Sequence, residues 1–323
     1  MARIALDAMG GDHAPQETVA GAVEASVRGV EVILVGDTEV LQSELDGHDV
    51  SGIEIVHAPD VIGMADDPAR ALRDKPDSSI SVTVKLVAYG KAAGFVSAGS
   101  TGAAMAAAAI IIGRLKGVSR PAIATIFPTP GTPTLVLDSG ANPEVRPEHL
   151  AQFGVMGSVA AEVLLGVERP RVGLLSIGEE RGKGRELDKA AFDLLEKSPI
   201  QFVGNVEGRD VATDKVDVIV TDGFTGNVFL KTTEGAVKMV ADYFLEALDA
   251  LPAKIKDAAL PALAEVKQRL DWETYGGAQL LGVRSVAVIA HGSSSRVAVA
   301  NALTMASEGA ERDLPGRLAM QLG

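Results

Sequence analysis

Short apolar runs alternate with helical patterns along most of the chain. The runs are rich in Val, Ile and Leu and end at glycine or polar residues, which is typical of short strands buried on both faces. We predict strands at 3–6, 32–35, 53–56, 94–97, 134–137, 172–176, 201–203, 216–220 and 286–290. We predict helices from Pro15 onward and at 79–87, 103–112, 149–165 and 187–196. Strands alternating with helices predict βαβ units in a mostly parallel sheet with right-handed crossovers.

Residues 234–272 carry a different pattern. A helix predicted over 234–251 has one apolar face, on which Val237 and Phe244 lie. Pro252 and Pro261 then bracket a short segment, AKIKDAAL, and a last helical piece ends near residue 272. The segment is therefore predicted to be a helical hairpin within a single domain over 1–323, or within two lobes that share one sheet.

Two parts of this hairpin need an explanation for their apolar side chains. The apolar side chains of the face along 237–248 would be explained by packing in the core or at a dimer interface. At the tip, Ile255 and Leu260 lie beside Lys254 and Lys256. A basic, partly apolar tip in an acidic protein favours weak, reversible contact with an anionic membrane surface, because each lysine near such a surface contributes about 1 kcal/mol.

Seven predicted strand ends carry loops rich in Gly, Asn, Ser, Thr or Asp. They are DAMGGDHAP, SAGSTGA, LDSGAN, IGEERGKGRE, GNVEGRD, DGFTGN and HGSSS. Glycines are expected at any turn, so one such loop is weak evidence. Together the loops predict a crevice of backbone N–H groups, hydroxyls and amides that suits an oxyanion such as phosphate. None has the spacing of a nucleoside-triphosphate P-loop, and no GxGxxG follows the first strand.

The strand–turn–helix sequence at 217–235 is the strongest of these signals. Its glycine-rich turn is predicted to lie at the carboxyl end of a strand, where ligands bind in open α/β sheets. Free N–H groups at the start of the following helix would favour an anion. Asn227 lies in this turn and Asn142 in an earlier one, and an uncharged amide can donate to an oxyanion. A role in stabilising the turn is the competing interpretation for each.

Positive charge is scarce in the loops, which draws attention to ERGKGRE. Arg181, Lys183 and Arg185 alternate there with Gly182 and Gly184. The loop is either an exposed, solvated turn or a mobile segment that brings a cation against a bound anion. Because it is flanked by both glycines, the Lys183 ammonium is our candidate for neutralising phosphate or a developing oxyanion.

Two further groups of residues are weaker candidates for a catalytic or ligand-binding role. His291 and His13 each follow a predicted strand, and His291 is a general acid, an anion donor or a satisfied strand-end histidine. No GxSxG elbow is present, so a Ser-His-Asp hydrolase fits poorly. Several aspartates follow strands, but their spacing matches no metal motif, and such residues are often helix caps or loop anchors. These aspartates are Asp7, Asp12, Asp138 and Asp222.

Composition limits the kinds of partner, chemistry and location that fit this chain. The net charge of −13 over 323 residues argues against a nucleic-acid partner, since phosphate backbones require a basic face. The chain has no cysteine, so it has no disulfide and no cysteine nucleophile. The N-terminus lacks the apolar core of a signal peptide, and no apolar run approaches the roughly 18 residues of a membrane span. A cytoplasmic location is therefore expected.

Taken in order, the loops resemble those of the bacterial phosphate acyltransferases of phospholipid synthesis. The resemblance runs from DAMGGD through SAGSTGA, LDSGAN, IGEERGKG, GNVEGRD and DGFTGNVFLKTTEG to YGGAQLLG and HGSSS. Ser100 departs from the pattern, where asparagine is more often expected. The resemblance implies a three-layer α/β/α sandwich similar to isocitrate and isopropylmalate dehydrogenases, a homodimer, and no nicotinamide binding.

The resemblance also implies a reaction. Inorganic phosphate attacks the thioester of an acyl-(acyl carrier protein), which gives acyl phosphate and the free carrier without a covalent enzyme intermediate, metal or cofactor. The product would pass to a membrane glycerol-3-phosphate acyltransferase, which implies a cytoplasmic enzyme with peripheral membrane association. Two alternatives are an NAD-dependent dehydrogenase of the related fold and a non-catalytic lipid-binding protein.

Site residues follow from the loops that match. Lys183 and Asn227 are expected to be catalytic. Phosphate or substrate binding is expected of Asp7, Gly10, Gly11, Asp12, Ser97, Ser100, Thr101, Asn142, Gly182, Gly184, Arg185, Gly226 and His291.

Overall fold

The computed structural model describes residues 2–129, 131–270 and 272–323. Asp271, within the predicted hairpin, lies outside the described residues. Eleven strands are described. They are β1 Ile4–Asp7, β2 Val32–Gly36, β3 Ile53–His57, β4 Gly94–Ser97, β5 Ala122–Phe127, β6 Thr134–Leu137, β7 Arg171–Leu175, β8 Gln201–Val206, β9 Val218–Val220, β10 Ala278–Leu281 and β11 Val286–Ile289.

Eleven α-helices accompany the strands in the described part of the chain. They are α1 Gln16–Val27, α2 Thr38–Leu45, α3 Pro68–Asp74, α4 Ser79–Ala88, α5 Thr101–Ala107, α6 Pro147–Ala160, α7 Glu186–Leu195, α8 Gly223–Asp249, α9 Ala253–Leu270, α10 Arg296–Glu311 and α11 Leu314–Leu322. Short π-helical turns, Ala108–Ile112 and Ala161–Leu165, extend α5 and α6, and 3-10 turns lie at Gly208–Ala212 and Trp272–Tyr275.

Helices cover both faces of one sheet, which makes the fold a three-layer α/β/α sandwich. Alternate residues of β1 show this directly. Ala5 packs with Phe95 in a core that includes residues of α4 and α5, whereas Ile4 and Leu6 pack in a second core with residues of α1 and α10. A strand buried on both faces needs apolar residues at every position, which explains the unbroken apolar runs of the sequence.

The strand order is β3-β2-β1-β4-β11-β10-β5-β6-β9-β7-β8, and the sheet is mostly parallel. Three of its pairs are antiparallel, namely β11 with β10, β10 with β5, and β5 with β6. Three reversals between β11 and β6 mean that these two strands run in opposite directions. The parallel group β3-β2-β1-β4-β11 therefore points its carboxyl ends at one edge of the sheet, and the parallel group β6-β9-β7-β8 points its carboxyl ends at the opposite edge.

Several elements were missing from the sequence prediction. Strands β5 and β10 are short and antiparallel, and α2 and α3 are short helices. The helices have a local cause, because Asp37 accepts hydrogen bonds from two backbone N–H groups at the start of α2, and Asp67 caps α3 in front of a first-turn proline. An aspartate before a short amphipathic run was the available signal.

The hairpin also differs in detail. Helix α8 begins at Gly223, so the DGFTGN segment is the first turn of the helix instead of a loop before it. Pro261 lies inside α9 instead of ending a segment there. Along 239–247, α8 is exposed, with 64% of Tyr243 and 59% of Phe244 accessible. Core packing within this chain therefore does not account for the apolar side chains of this stretch.

Candidate active site

The predicted site residues fall into two groups at opposite edges of the sheet. The first edge holds the loops after β1, β4 and β11, joined by hydrogen bonds from Asp12 N to the Gly292 carbonyl (2.7 Å) and from Ala290 N to the Ser97 carbonyl (2.9 Å). The second edge holds the loops after β6, β7 and β9. The expectation of one crevice lined by all seven loops is corrected for the single chain, because the strands reverse direction between β11 and β6.

At the first edge, the Asp7 carboxylate is buried and accepts a hydrogen bond from Ser97 Oγ (2.7 Å). Burial raises the pKa of Asp7, and hydrogen bonds from Ser79 and Ser97 oppose that rise. Backbone atoms of Gly99 pack tightly against Gly10. Ser100 caps α5, which begins at Thr101, by accepting from Ala103 N (3.4 Å). These contacts describe a loop held together by its own polar groups.

Helix α10 also begins at the first edge, after His291, whose Nδ1 lies 2.8 Å from Ser293 Oγ. Two carboxylates already take hydrogen bonds from this helix start. Glu17 accepts from Arg296 N (2.6 Å), and Glu273 accepts from Ser295 N (3.3 Å) and Ser295 Oγ (2.7 Å). The Arg296 guanidinium also pairs with Glu17, which neutralises that carboxylate. The N–H groups of Ser295 and Arg296 are thus engaged, and the anion-donor role of His291 itself stays a prediction.

At the second edge, the LDSGAN loop is built around one buried carboxylate. Asp138 accepts from the backbone N–H groups of Ile123, Gly140 and Ala141, and also from the backbone and side-chain N–H groups of Asn142, at 2.7–3.2 Å. Burial raises the pKa of Asp138, and these hydrogen bonds act in the opposite direction. The loop is therefore fixed from within.

This arrangement corrects the role predicted for Asn142. Its side-chain amide donates to Asp138 and to the Pro121 carbonyl (2.7 Å), and the residue is buried. Both amide N–H groups are engaged, so Asn142 stabilises the loop and has no donor left for an oxyanion. The competing interpretation, a turn-stabilising residue, is the one that the geometry supports.

The start of α8 packs directly on this loop. Gly223 N donates to the Asn142 carbonyl (2.8 Å), and a Cβ at Gly226 would lie 1.9 Å from the Asp138 carbonyl oxygen. Asp222 caps the helix by accepting from Thr225 N (2.8 Å) and Thr225 Oγ1 (2.9 Å). The helix start that was expected to bind an anion is thus already capped by a carboxylate, which corrects that expectation.

The IGEERGKGRE loop is tied down by its two arginines. Arg181 pairs with Asp193 and Glu196 and lies over the Phe192 ring, 4.9 Å from its centroid. Arg185 pairs with Asp188 (2.9 Å) and with Asp222 (2.6 Å). The Arg185 contact with Asp222 joins this loop to the start of α8.

These pairs set the charge states of the site. The Asp188 hydrogen bond, followed by that of Asp222, raises the pKa of Arg185. Burial disfavours ionised Asp222, but hydrogen bonds from Thr225 and Arg185 outweigh burial and hold the pKa of Asp222 below its usual value. Asp188 and Asp222 orient Arg185 through Nε and Nη2, and the side chain stays 54% exposed, so its role in holding phosphate stays a prediction.

Between the two arginines, Lys183 is exposed, and its ammonium makes no ion pair with any residue that the structure describes. Gly182 beside it has no atom within 4 Å of a Cβ position, so the loop is open there. Gly184 has φ +98°, and a Cβ would lie 2.8 Å from Asp188 Oδ2 and Ser176 Oγ. Glycine is required at this position, and it turns the chain so that Lys183 faces solvent while Arg185 faces Asp222.

Asn227 is the second available polar group at this edge. It is exposed on the first turns of α8, and its side chain makes no hydrogen bond within the described part of the chain. Its Oδ1 lies 3.6 Å from the Cβ position of Gly140 in the LDSGAN loop. An unpaired ammonium and an unpaired amide, each on a loop or helix fixed by neighbouring ion pairs, can neutralise an anion and donate to an oxyanion.

Two carboxylates hold this arrangement. Asp138 was weighed from the sequence as a metal ligand, a helix cap or a loop anchor, and it anchors its loop, whereas Asp188 was not singled out. The signal for Asp188 was its place three residues after Arg185, at the first turn of α7, where its carboxylate accepts from Arg185 N (2.8 Å). No group of three or more His, Cys, Asp or Glu side chains suited to a metal occurs among the residues described.

Comparison with solved structures shows the fold class first. The chain resembles in fold a phosphotransacetylase from Streptococcus pyogenes (TM-score 0.66, 17% identity, 96% of this chain and 94% of that one) and the EutD phosphotransacetylase from Staphylococcus aureus (TM-score 0.61, 18% identity, with the same shares). A 4-hydroxythreonine-4-phosphate dehydrogenase from Salmonella typhimurium has a TM-score of 0.51 at 14% identity, and all of each chain is covered. At these identities the likeness shows a shared α/β/α fold.

The family is shown by sequence. The model of the fatty acid synthesis protein family matches residues 2–317. A phosphate acyltransferase from Desulforamulus reducens is 50% identical over 317 residues, which are 97% of this chain and 95% of the relative. One from Gloeobacter violaceus is 48% identical over 327 residues, 99% of this chain and 96% of the relative. The chain belongs to the phosphate acyltransferase family and is an enzyme of acyl-group transfer in lipid synthesis.

Proposed function

We propose that the enzyme transfers an acyl group from acyl-(acyl carrier protein) to inorganic phosphate, which yields acyl phosphate for phospholipid synthesis. The observation that carries the proposal is which charged and polar side chains at the second edge are paired and which are not. Arg181 and Arg185 are neutralised by carboxylates, whereas Lys183 and Asn227 have no partner among the residues described. Binding an anionic substrate and stabilising a developing oxyanion both require unpaired polar groups whose surroundings are held in place.

The chemistry fits a protein without cysteine. A phosphate oxygen attacks the thioester carbonyl carbon, a C–O bond forms, and the carbonyl oxygen becomes an oxyanion. The C–S bond then breaks as the carbonyl reforms, and the thiolate takes a proton from solvent. A thiol with a pKa of about 8.5 leaves readily, so no strong general acid is needed. Lys183 neutralises phosphate, Asn227 donates to the oxyanion, and the loop contacts orient both groups.

The test is product formation. The purified enzyme, incubated with acyl-(acyl carrier protein) and phosphate, should release free carrier thiol and an equal amount of acyl phosphate, trapped as a hydroxamate. Both products should depend on phosphate, and sulfate at matched ionic strength serves as the control. Free thiol that appears at the same rate without phosphate would mean simple thioester hydrolysis and would overturn the proposal.

We further propose that the enzyme is a homodimer in which a second copy covers the exposed apolar face of α8. Met239, Tyr243 and Phe244 are each more than half exposed in this chain. Aromatic side chains of this size dominate the energetics of protein interfaces. We expect Tyr243→Glu/Phe244→Glu to lower the sedimentation coefficient to that of a 33.3 kDa monomer, because two buried carboxylates would face each other across the interface.

The matched control for this variant is Lys238→Glu/Asp242→Lys, a swap of an exposed ion pair on the same helix. It should leave the assembly intact, because the exposed pair contributes little. A dimer that survives Tyr243→Glu/Phe244→Glu would exclude this face as the interface.

At the hairpin tip we propose weak contact with anionic membranes, which would bring a cytoplasmic enzyme to a membrane glycerol-3-phosphate acyltransferase that uses its product. Ile255 and Leu260 are 52% and 41% exposed. Lys256 is paired with Asp249, so Lys254 supplies the available charge. Within the described residues, no helix has the length and apolarity that crossing a membrane requires. The parent should co-sediment with anionic liposomes, whereas Ile255→Asp/Leu260→Asp should not. Equal co-sedimentation of the two proteins would exclude the tip as the membrane contact.

A further inference from the structure

Four cations lie beside the candidate site without a carboxylate partner. Arg114, Lys116, Arg120 and Arg146 are all exposed, and none forms an ion pair with a residue that the structure describes. We call these four residues the basic surface. Elsewhere at the second edge, Arg181, Arg185 and Lys215 are paired internally with carboxylates. Four unpaired cations in two neighbouring segments therefore form a local concentration of positive charge in a chain of net charge −13.

The basic surface adjoins the loop on which Asn227 packs. The Asn142 side chain donates to the carbonyl of Pro121, the residue after Arg120. Arg146 follows Asn142 by four residues, and its backbone N–H donates to Nδ1 of His149 (3.1 Å) on α6. Both segments thus meet the LDSGAN loop, whose Gly140 lies against Asn227.

The backbone that presents these cations is fixed. Gln152 on α6 accepts from Ser119 N (3.0 Å) and donates to the Gly117 carbonyl (2.8 Å). The Arg114 guanidinium donates to the Ser119 carbonyl. These hydrogen bonds hold segment 114–120 against α6. Its charged side chains therefore extend from a fixed backbone.

Two cations of the basic surface act on the buried side chain of His149. Burial lowers the pKa of His149, and the charges of Arg146 and Arg120 lower it further, against the opposing effect of Glu148. Two guanidinium groups from separate segments therefore act on the same buried imidazole. The contacts of Ser119 with Gln152 and of Arg146 with His149 bring both segments to the start of α6, where one partner can contact both.

We propose that the basic surface docks an acidic face of the protein that carries the acyl thioester, and that this contact delivers the thioester to Lys183 and Asn227. The inference rests on the proposed function. Charge complementarity selects the partner, because unpaired arginines form bidentate contacts with carboxylates and steer acidic proteins from a distance. Glu144 and Glu148 flank Arg146 in the sequence and are exposed, and this mixture of charges suits a protein face better than a continuous polyphosphate.

The test is a comparison of donors with Arg120→Glu/Arg146→Glu. The KM for the acyl-(acyl carrier protein) should rise about 10-fold or more with kcat nearly unchanged, because rim charges act on association. The KM for the same acyl group on a small neutral thiol should stay at the parent's value. The salt dependence of the parent's carrier KM should be largely lost in the variant, since it reflects screening of these charges.

The matched control is Arg73→Glu/Lys197→Glu, which makes the same change in net charge at two exposed cations outside the basic surface. It should leave the carrier KM within about 2-fold of the parent. Calorimetric titration of the parent with the carrier protein measures docking without turnover, so docking remains testable if no acyl phosphate forms. An unchanged carrier KM and affinity in Arg120→Glu/Arg146→Glu would overturn the proposal, as would a loss confined to binding of DNA or anionic vesicles.

Discussion

Lys183→Ala and Asn227→Ala should each lower turnover by on the order of 10²–10³ while the fold stays intact. Lys183 carries an exposed ammonium between Arg181 and Arg185 that is unpaired within the described chain, and Asn227 carries an unpaired amide on the adjoining helix. Neither side chain holds other residues in place. Removing either one should therefore affect the reaction without a comparable loss of stability.

Single-turnover rates, circular dichroism and thermal unfolding would separate the two effects. Lys183→Arg should recover little, because a planar fork differs from a compact ammonium on a short loop. Lys189→Ala is the matched control, since Lys189 on α7 is paired with Glu186 and lies outside the loop. Rates within a few-fold of the parent for both Lys183→Ala and Asn227→Ala would remove these residues from the catalytic machinery.

Gly226→Ala should lower both stability and turnover strongly, although the substitution adds only one methyl group. Alanine normally stabilises a helix by up to about 1 kcal/mol relative to glycine. Here a Cβ would lie 1.9 Å from the Asp138 carbonyl oxygen, a backbone atom that cannot move aside cheaply. Overpacking of this kind costs about 1–3 kcal/mol or more, and a shift of roughly 1 Å in the neighbouring Asn227 could cost 10²-fold in rate.

Gly235→Ala supplies the control on the same helix. No atom lies within 4 Å of its Cβ position, so the substitution should leave turnover unchanged and raise the stability of α8 slightly. Melting curves and turnover for the two variants would make the comparison. Equal behaviour of Gly226→Ala and Gly235→Ala would mean that the LDSGAN loop and α8 are not tightly packed.

Much of the fold could be predicted because its determinants are local. A strand buried on both faces must be apolar throughout, so Val32–Gly36 and Val286–Ile289 stand out in the sequence. The antiparallel strand Ala278–Leu281 was harder to predict, because the buried polar residue Gln279 interrupts its apolar run. Its role as the point where the sheet changes direction follows from its neighbours, and no residue of the strand signals it.

The candidate site divides in the same way. Residue types and loop composition were enough to select Lys183 and Asn227 as candidates, since an unpaired cation and amide among glycines suit an anion whatever their surroundings. Asn142 also carries an amide, yet both of its side-chain N–H groups are taken, by Asp138 and by the Pro121 carbonyl, and Arg185 is held by Asp188 and Asp222. Whether a polar group is free depends on partners up to 37 residues away, which composition does not reveal.

By itself the sequence determined the alternation of strands and helices, the family resemblance, the absence of cysteine chemistry and the loops that carry polar groups. Those properties depend on neighbouring residues and on residue types. Only the tertiary structure decided that the loops after β1, β4 and β11 lie at the edge opposite those after β6, β7 and β9. It also decided which charges are neutralised and which remain available, because strand direction and ion pairing are set by contacts between segments distant in the chain.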